Sequence, residues 1–170
     1  MNIHQLMDAQ QELDRHIEKE QGINGKDYQD EKILALQVEV GELANEWRGF
    51  KFWSRDREPR TKKMDELKGY KNPLLEEYAD GLSFILSIGN DLKIRPKTIN
   101  YIHEKSITKQ FNRLFTKIGD FYEFETRGNY YSILRLYLAL GEMLGYSLMD
   151  IEKAYLEKNK TNHYRQDTGY

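Results

Sequence analysis

Apolar residues recur along this chain at intervals of three and four, the period of an α-helix with one buried face. Leu6, Ala9, Leu13 and Ile17 define a first helix from Asn2 to about Glu20, and Gly22-Ile23-Asn24-Gly25 ends it with loop chemistry. Leu36, Val40, Leu43 and Trp47 form the stripe of a second helix, capped by Asp30 and reaching about Phe50. Asn72-Pro73 is a helix start, with Asn at the cap and Pro in the first turn. The helix it opens runs to about Leu92 and is apolar nearly all round past Asp80, so it is expected to be central. Pro96 opens a further helical region in two pieces to about Phe124, with Phe111, Leu114, Phe115, Ile118 and Phe121 as its apolar face. Asn129 is read as the cap of a helix from Tyr130 to Leu144, which Gly145 stops. Ser147-Leu148-Met149-Asp150 resembles a capping box and starts a last helix to about Lys158. The aromatic residues mostly follow helical spacing and few alternate, so no strand is predicted. The expectation is an all-α helical bundle, one domain over residues 1–170, with a polar, mobile tail over 159–170.

Against this pattern two acidic stretches stand out. Glu39, Glu42 and Glu46 run along the edge of the second helix's apolar stripe, one turn apart. Glu77 and Asp80 repeat the spacing on the third helix, on a line that continues into Phe84 and Ile88. Acids at helical spacing are more often a solvated face, and either stretch alone would be read so. Together, beside apolar residues and with no basic residue on the same stripe, they point to shared protons or a hard divalent cation. Gly41 and Gly81 each sit beside a ligand candidate, which suggests close helix approach. The two helices are expected to pack antiparallel, with both acid pairs facing one site.

Composition narrows the function classes. Net charge is −2 over 170 residues, so no broad nucleic-acid surface is indicated. There is no cysteine, which excludes disulfides and thiolate metal sites. The N-terminus reads as no signal peptide, and the stretch Tyr130 to Tyr146 is too short and too charged to span a bilayer. A cytoplasmic protein without membrane contact is expected. Residues 54–72 carry Arg55, Arg57, Arg60, Lys62, Lys63, Lys68 and Lys71 and read as a mobile basic loop, either a connector or a substrate lid. The four histidines form no Glu-x-x-His pair of the di-iron kind, and no phosphate loop, nucleophile elbow or dinucleotide fingerprint is present. The helix Tyr130–Leu144 is apolar on more than one face, which suits a homodimer interface and a helix buried within one chain equally.

Glu-x-x-Glu at Glu39 and Glu42, followed by Glu-x-x-Asp at Glu77 and Asp80, resembles the signature of the all-α nucleoside triphosphate pyrophosphohydrolases. Three further segments resemble the dimeric dUTPases within that superfamily. They are Gln10-Gln11-Glu12-Leu13-Asp14, Phe50-Lys51-Phe52-Trp53, and the run from Lys158 through Asn162, Arg165-Gln166 and Gly169-Tyr170. The chain departs from the pattern at Ser83, where some members have His, and in the offset of Trp53; residues 95–128 match nothing in it.

The resemblance implies hydrolysis of dUTP to dUMP and pyrophosphate, with dUDP as a candidate second substrate, and it tips the helix Tyr130–Leu144 toward a homodimer interface. It implies that Glu39, Glu42, Glu77 and Asp80 hold two or three Mg²⁺ ions, and that Glu42, or alternatively Glu39, orients or deprotonates the attacking water. Gln10 would read uracil, with Asp14 assisting or binding the sugar, and Trp53 would stack on the base. The plainer readings are an exposed helix surface for Gln10 and a core tryptophan for Trp53. Lys158, Asn162 and Arg165 would grip the phosphates as the tail folds over them. Two alternatives stay open: a MazG-type pyrophosphohydrolase with another base preference, and a helical binding module with no turnover.

Overall fold

The computed structural model describes residues 1–23, 27–65 and 69–169. Among the described residues six helices follow one another: α1 (Ile3–Gln21), α2 (Gln29–Trp47), α3 (Pro73–Asp91), α4 (Ile107–Glu123), α5 (Arg127–Met143) and α6 (Leu148–Asp167). The all-α expectation holds. One small exception lies in the basic connector, where β1 (Lys63–Asp65) pairs antiparallel with β2 (Gly69–Lys71). Of that connector Lys68 lies outside the described residues, as do Asn24 and Gly25 of the first loop.

Local chemistry sets most helix boundaries. Asn72 accepts from the Leu75 amide with Pro73 in the first turn, and Ser147 and Asp150 form the reciprocal capping box. Two caps differ from expectation. Thr126, not Asn129, caps α5, while the Asn129 amide donates back to the Asp120 and Phe124 carbonyls and closes α4. Helix α2 begins at Gln29, one residue before Asp30, and Asp27 receives its first amide.

Residues 95–106 are not helical, contrary to the two-piece reading. Pro96, the β-branched residues and Asn100 disfavour a helix, and side chains hold the segment instead. Buried Gln110 donates to the Ile102 and Leu136 carbonyls, and Arg135 donates to the Asn100 carbonyl.

Helices α2 and α3 run antiparallel. Lys32 at the start of α2 pairs with Asp91 at the end of α3, 2.5 Å apart. At the other end Arg60 bridges them, its amide donating to the Glu46 carbonyl and its carbonyl accepting from the Leu74 amide. Helix α5 packs against α3 and α4 and is sealed on every apolar face: Ile133, Leu134, Leu136, Tyr137, Leu138 and Leu140 are all at most 2% exposed. The second face proposed for a partner is therefore used inside this chain. No described helix is long and apolar enough to cross a membrane.

The largest departure concerns the tail. Helix α6 does not stop at Lys158 but continues to Asp167 along α1. Asn159 is buried and donates to the Ala9 carbonyl, the Nδ1 atoms of His16 and His163 lie 2.8 Å apart, and Gln21 donates to Gln166. Polar residues, not an apolar stripe, fasten this stretch.

Candidate active site

The antiparallel pairing of α2 and α3 brings the two acidic stretches together. One carboxylate oxygen from each of Glu39, Glu42 and Glu77 lies within 4.8 Å of the other two. Glu39 and Glu77 are half-buried, and Glu42 faces solvent. Burial pushes the Glu39 carboxyl up to about 7, and the charges of Asp80 and Glu42 add to the effect. Glu77 is likewise pushed up to about 7, by burial first and then by Asp80, Glu42 and Glu39. This is a donor set of oxygens only, short of positive charge, which fits a small hard divalent cation. Gly41 faces open space, so close helix approach does not explain it, whereas Gly81 is tightly covered by Tyr137.

Asp80 is not part of this trio. Its carboxylate accepts from the Lys158 ammonium of α6 at 2.5 Å, and both side chains are mostly buried. Burial raises the Asp80 carboxyl while Lys158, and then Arg165, hold it down. Asp80 nevertheless repels charge on both Glu39 and Glu77. The acidic stripe lacks a cation on its own helix but receives one from α6, which spacing within α3 could not reveal.

Beside Asp80 opens a cavity of about 480 Å³ between α1, α3 and α6. Gln10, Asp14, Asp80 and Asn162 all line it, so four of the residues singled out from sequence meet there. Gln10 is 4% exposed, which removes the exposed-surface reading. Its Nε2 donates to Asp14 at 2.8 Å, and its Oε1 accepts from the Tyr155 hydroxyl at 3.0 Å. Burial raises the Asp14 carboxyl; hydrogen bonding by the Gln10 and Ser87 side chains and the charge of Lys32 hold it down, while Asp91 pushes it up. The Ser87 hydroxyl is buried beside the Asp14 carboxylate. Hydroxyl, amide and carboxylate groups on one wall suit a polar planar ligand.

Ser83, Phe84, Ser87 and Asp91 continue the wall of α3 at the same spacing as Glu77 and Asp80. Sequence reading followed that line only into its apolar members, although Ser87 and Asp91 carry it on. Tyr155 was also missed; only its place on α6, four residues before Asn159, could have marked it.

Trp53 does not join this cavity. It is 66% exposed, which also removes the core-tryptophan reading, and its ring packs edge-on with those of Phe50 and Phe52. It lines a separate apolar cleft with Trp47, Phe111 and Phe115. Lys158 and Arg165 line a further, smaller cleft with Lys71, Asn72 and Thr161, and Arg165 donates to Asn162.

A family model described as dUTPase matches residues 2–170. No curated protein matches the chain.

Proposed function

Because the chain belongs to the dUTPase family, we propose that it hydrolyses dUTP to dUMP and pyrophosphate with Mg²⁺, and accepts dUDP as well. The observation that carries this reading is the convergence of Glu39, Glu42 and Glu77 within 4.8 Å beside a polar-lined cavity. Bound Mg²⁺ supplies positive charge to the phosphate oxygens and acidifies a coordinated water. Two or three ions are proposed, held by the trio and Asp80.

The chain's own groups divide the remaining work. Glu42, the most exposed of the trio, receives the proton of the attacking water, with Glu39 the alternative. Gln10 presents an amide to one edge of the base, Asp14 holds that amide in place or meets the sugar hydroxyl, and Ser87 adds a hydroxyl to the same wall. Lys158 neutralises Asp80 in the ligand-free chain and, with Asp80 engaged elsewhere, would be free to turn to a phosphate oxygen. Asn162 and Arg165 follow about one and two helical turns further along α6 and meet the phosphates from the same side. Trp53 stacks on the base only if the connector carrying it moves, or if it reaches the site of a second copy.

The homodimer belongs to this proposal on a different face. Leu34 and Val38 of α2 and Phe115 and Tyr122 of α4 are exposed apolar residues on two helices that pack together, next to the cleft of Trp53. Light scattering at micromolar concentration should give the mass of two chains, and Leu34→Glu with Val38→Glu should give one. A cytoplasmic setting is also proposed.

The test is pyrophosphate release in Mg²⁺ across dUTP, dCTP, dTTP and dATP. The proposal expects dUTP to have the highest kcat/KM. Preference for another base would favour the MazG-type alternative, and release from none of them would favour a binding module.

A further inference from the structure

Between α3 and α5 two buried tyrosines make a reciprocal pair. The Tyr78 hydroxyl donates to the Tyr137 carbonyl at 3.0 Å, and the Tyr137 hydroxyl donates to the Tyr78 carbonyl at 2.8 Å. Both residues are fully buried, and their rings stack with centroids 4.7 Å apart. Each hydroxyl rests on a glycine of the opposite helix. A Cβ at Gly81 would overlap the Tyr137 hydroxyl, and one at Gly141 would overlap that of Tyr78. Four residues on two helices are thus fitted to one another.

This pair lies inside the acidic stretch of α3. Tyr78 follows Glu77, and Gly81 follows Asp80. We propose that Tyr78 and Tyr137, seated on Gly141 and Gly81, are positioning residues that fix the roll and depth of α3 and so hold Glu77 and Asp80 toward the acids of α2. The inference rests on the metal site proposed above.

Helix geometry gives the lever. A carboxylate about 6 Å from the axis of its helix moves about 1 Å for each 10° of roll. Metal–oxygen distances tolerate about 0.2 Å. A hydrocarbon contact alone allows such rolls, because dispersion is weakly directional. Two opposed hydrogen bonds, each ending on a backbone atom of the other helix, do not. Both hydroxyls act as donors, each to a backbone carbonyl of the opposite helix.

The test uses Mn²⁺ as the probe of the metal site in nucleotide-free protein, read by electron paramagnetic resonance of the free ion, beside the Tm of each metal-free variant. Tyr137→Phe and Tyr78→Phe remove one oxygen each, and each should weaken Mn²⁺ binding at least about 5-fold, the usual scale for one buried hydrogen bond or a supporting contact to a ligand. Gly81→Ala should weaken it further, and adding Tyr137→Phe to Gly81→Ala should restore part of the loss by removing the atom that the new methyl meets. If Gly81→Ala does not fold, the two Tyr→Phe variants carry the test alone. A lowered Tm with Mn²⁺ affinity unchanged would mean that the pair only stabilises the fold and would overturn the proposal. Wild-type protein that binds no Mn²⁺ would overturn the metal site itself, and this proposal with it.

Discussion

Metal binding at the glutamate trio should release protons, and the structure sets how many and where. Glu39 and Glu77 titrate near 7 in the metal-free protein, against an ordinary value of 4.5. A cation must displace whatever protons they hold. For one such group, affinity should tighten about tenfold between roughly pH 6 and pH 8, and about 100-fold if both protons leave. The sign for folding is the opposite. Both pKa values are raised by folding, so between 4.5 and about 7 the folded chain binds more protons than the unfolded one. Metal-free stability should therefore be highest near the acidic end of that window, fall as pH rises to about 7, and then level off. A shift of this size is worth about 3 kcal/mol per group if fully expressed. Both groups are half exposed and share one field, so about 1–2 kcal/mol for the pair survives screening. That corresponds to roughly 3–6 °C in Tm for a chain of this size. The assay is calorimetric titration of Mn²⁺ into nucleotide-free protein near pH 6.5, in two buffers of different ionisation enthalpy. Between about one and two protons should pass to the buffer per binding event. No proton transfer, with affinity flat from pH 6 to pH 8, would refute the reasoning.

Other outcomes follow from the same site. Glu42→Gln and Asp80→Asn should each lower kcat with dUTP by at least about 100-fold, because each removes charge or a proton acceptor at the reacting phosphates; circular dichroism should show both folded. Gln10→Leu should raise KM for dUTP more than it lowers kcat, since it deletes the amide between Asp14 and Tyr155. Deleting residues 159–170 should lower the ligand-free Tm by at least about 5 °C, because Asn159, His163 and Gln166 anchor α6 to α1. Arg165→Ala should spare most of that stability and lower kcat/KM about tenfold or more, as loss of a phosphate contact would.

Helix periodicity carried the fold well where an apolar stripe met a cap of simple chemistry, as at Asn72-Pro73 and Ser147 to Asp150. It failed where polar side chains did the packing. Asn159 occupies the position four residues beyond buried Tyr155, yet its amide is held by a backbone carbonyl of α1, so a hydrophobicity rule ended the helix too soon. The same blindness hid Ser87 and Asp91 on the wall of α3 and Gln110 under the segment 95–106. Helix α5 shows the converse limit. Its apolar surface is real, but a sequence cannot say whether α3 and α4 or a second chain will cover it. The convergence of Glu39, Glu42 and Glu77 was legible because each helix repeats the acid one turn on. Lys158 as the partner of Asp80 was not, because that contact joins positions 78 residues apart.

The most direct measurement is pyrophosphate release from dUTP by the wild-type chain and by Glu77→Gln, each titrated with Mg²⁺. Glu77 matters most here because it is the α3 member of a trio whose other two acids come from α2. The account predicts release from wild type that depends on Mg²⁺ and is lost or shifted to far higher Mg²⁺ in the variant. Equal release by both chains at every Mg²⁺ concentration, or release without divalent cation, would contradict it.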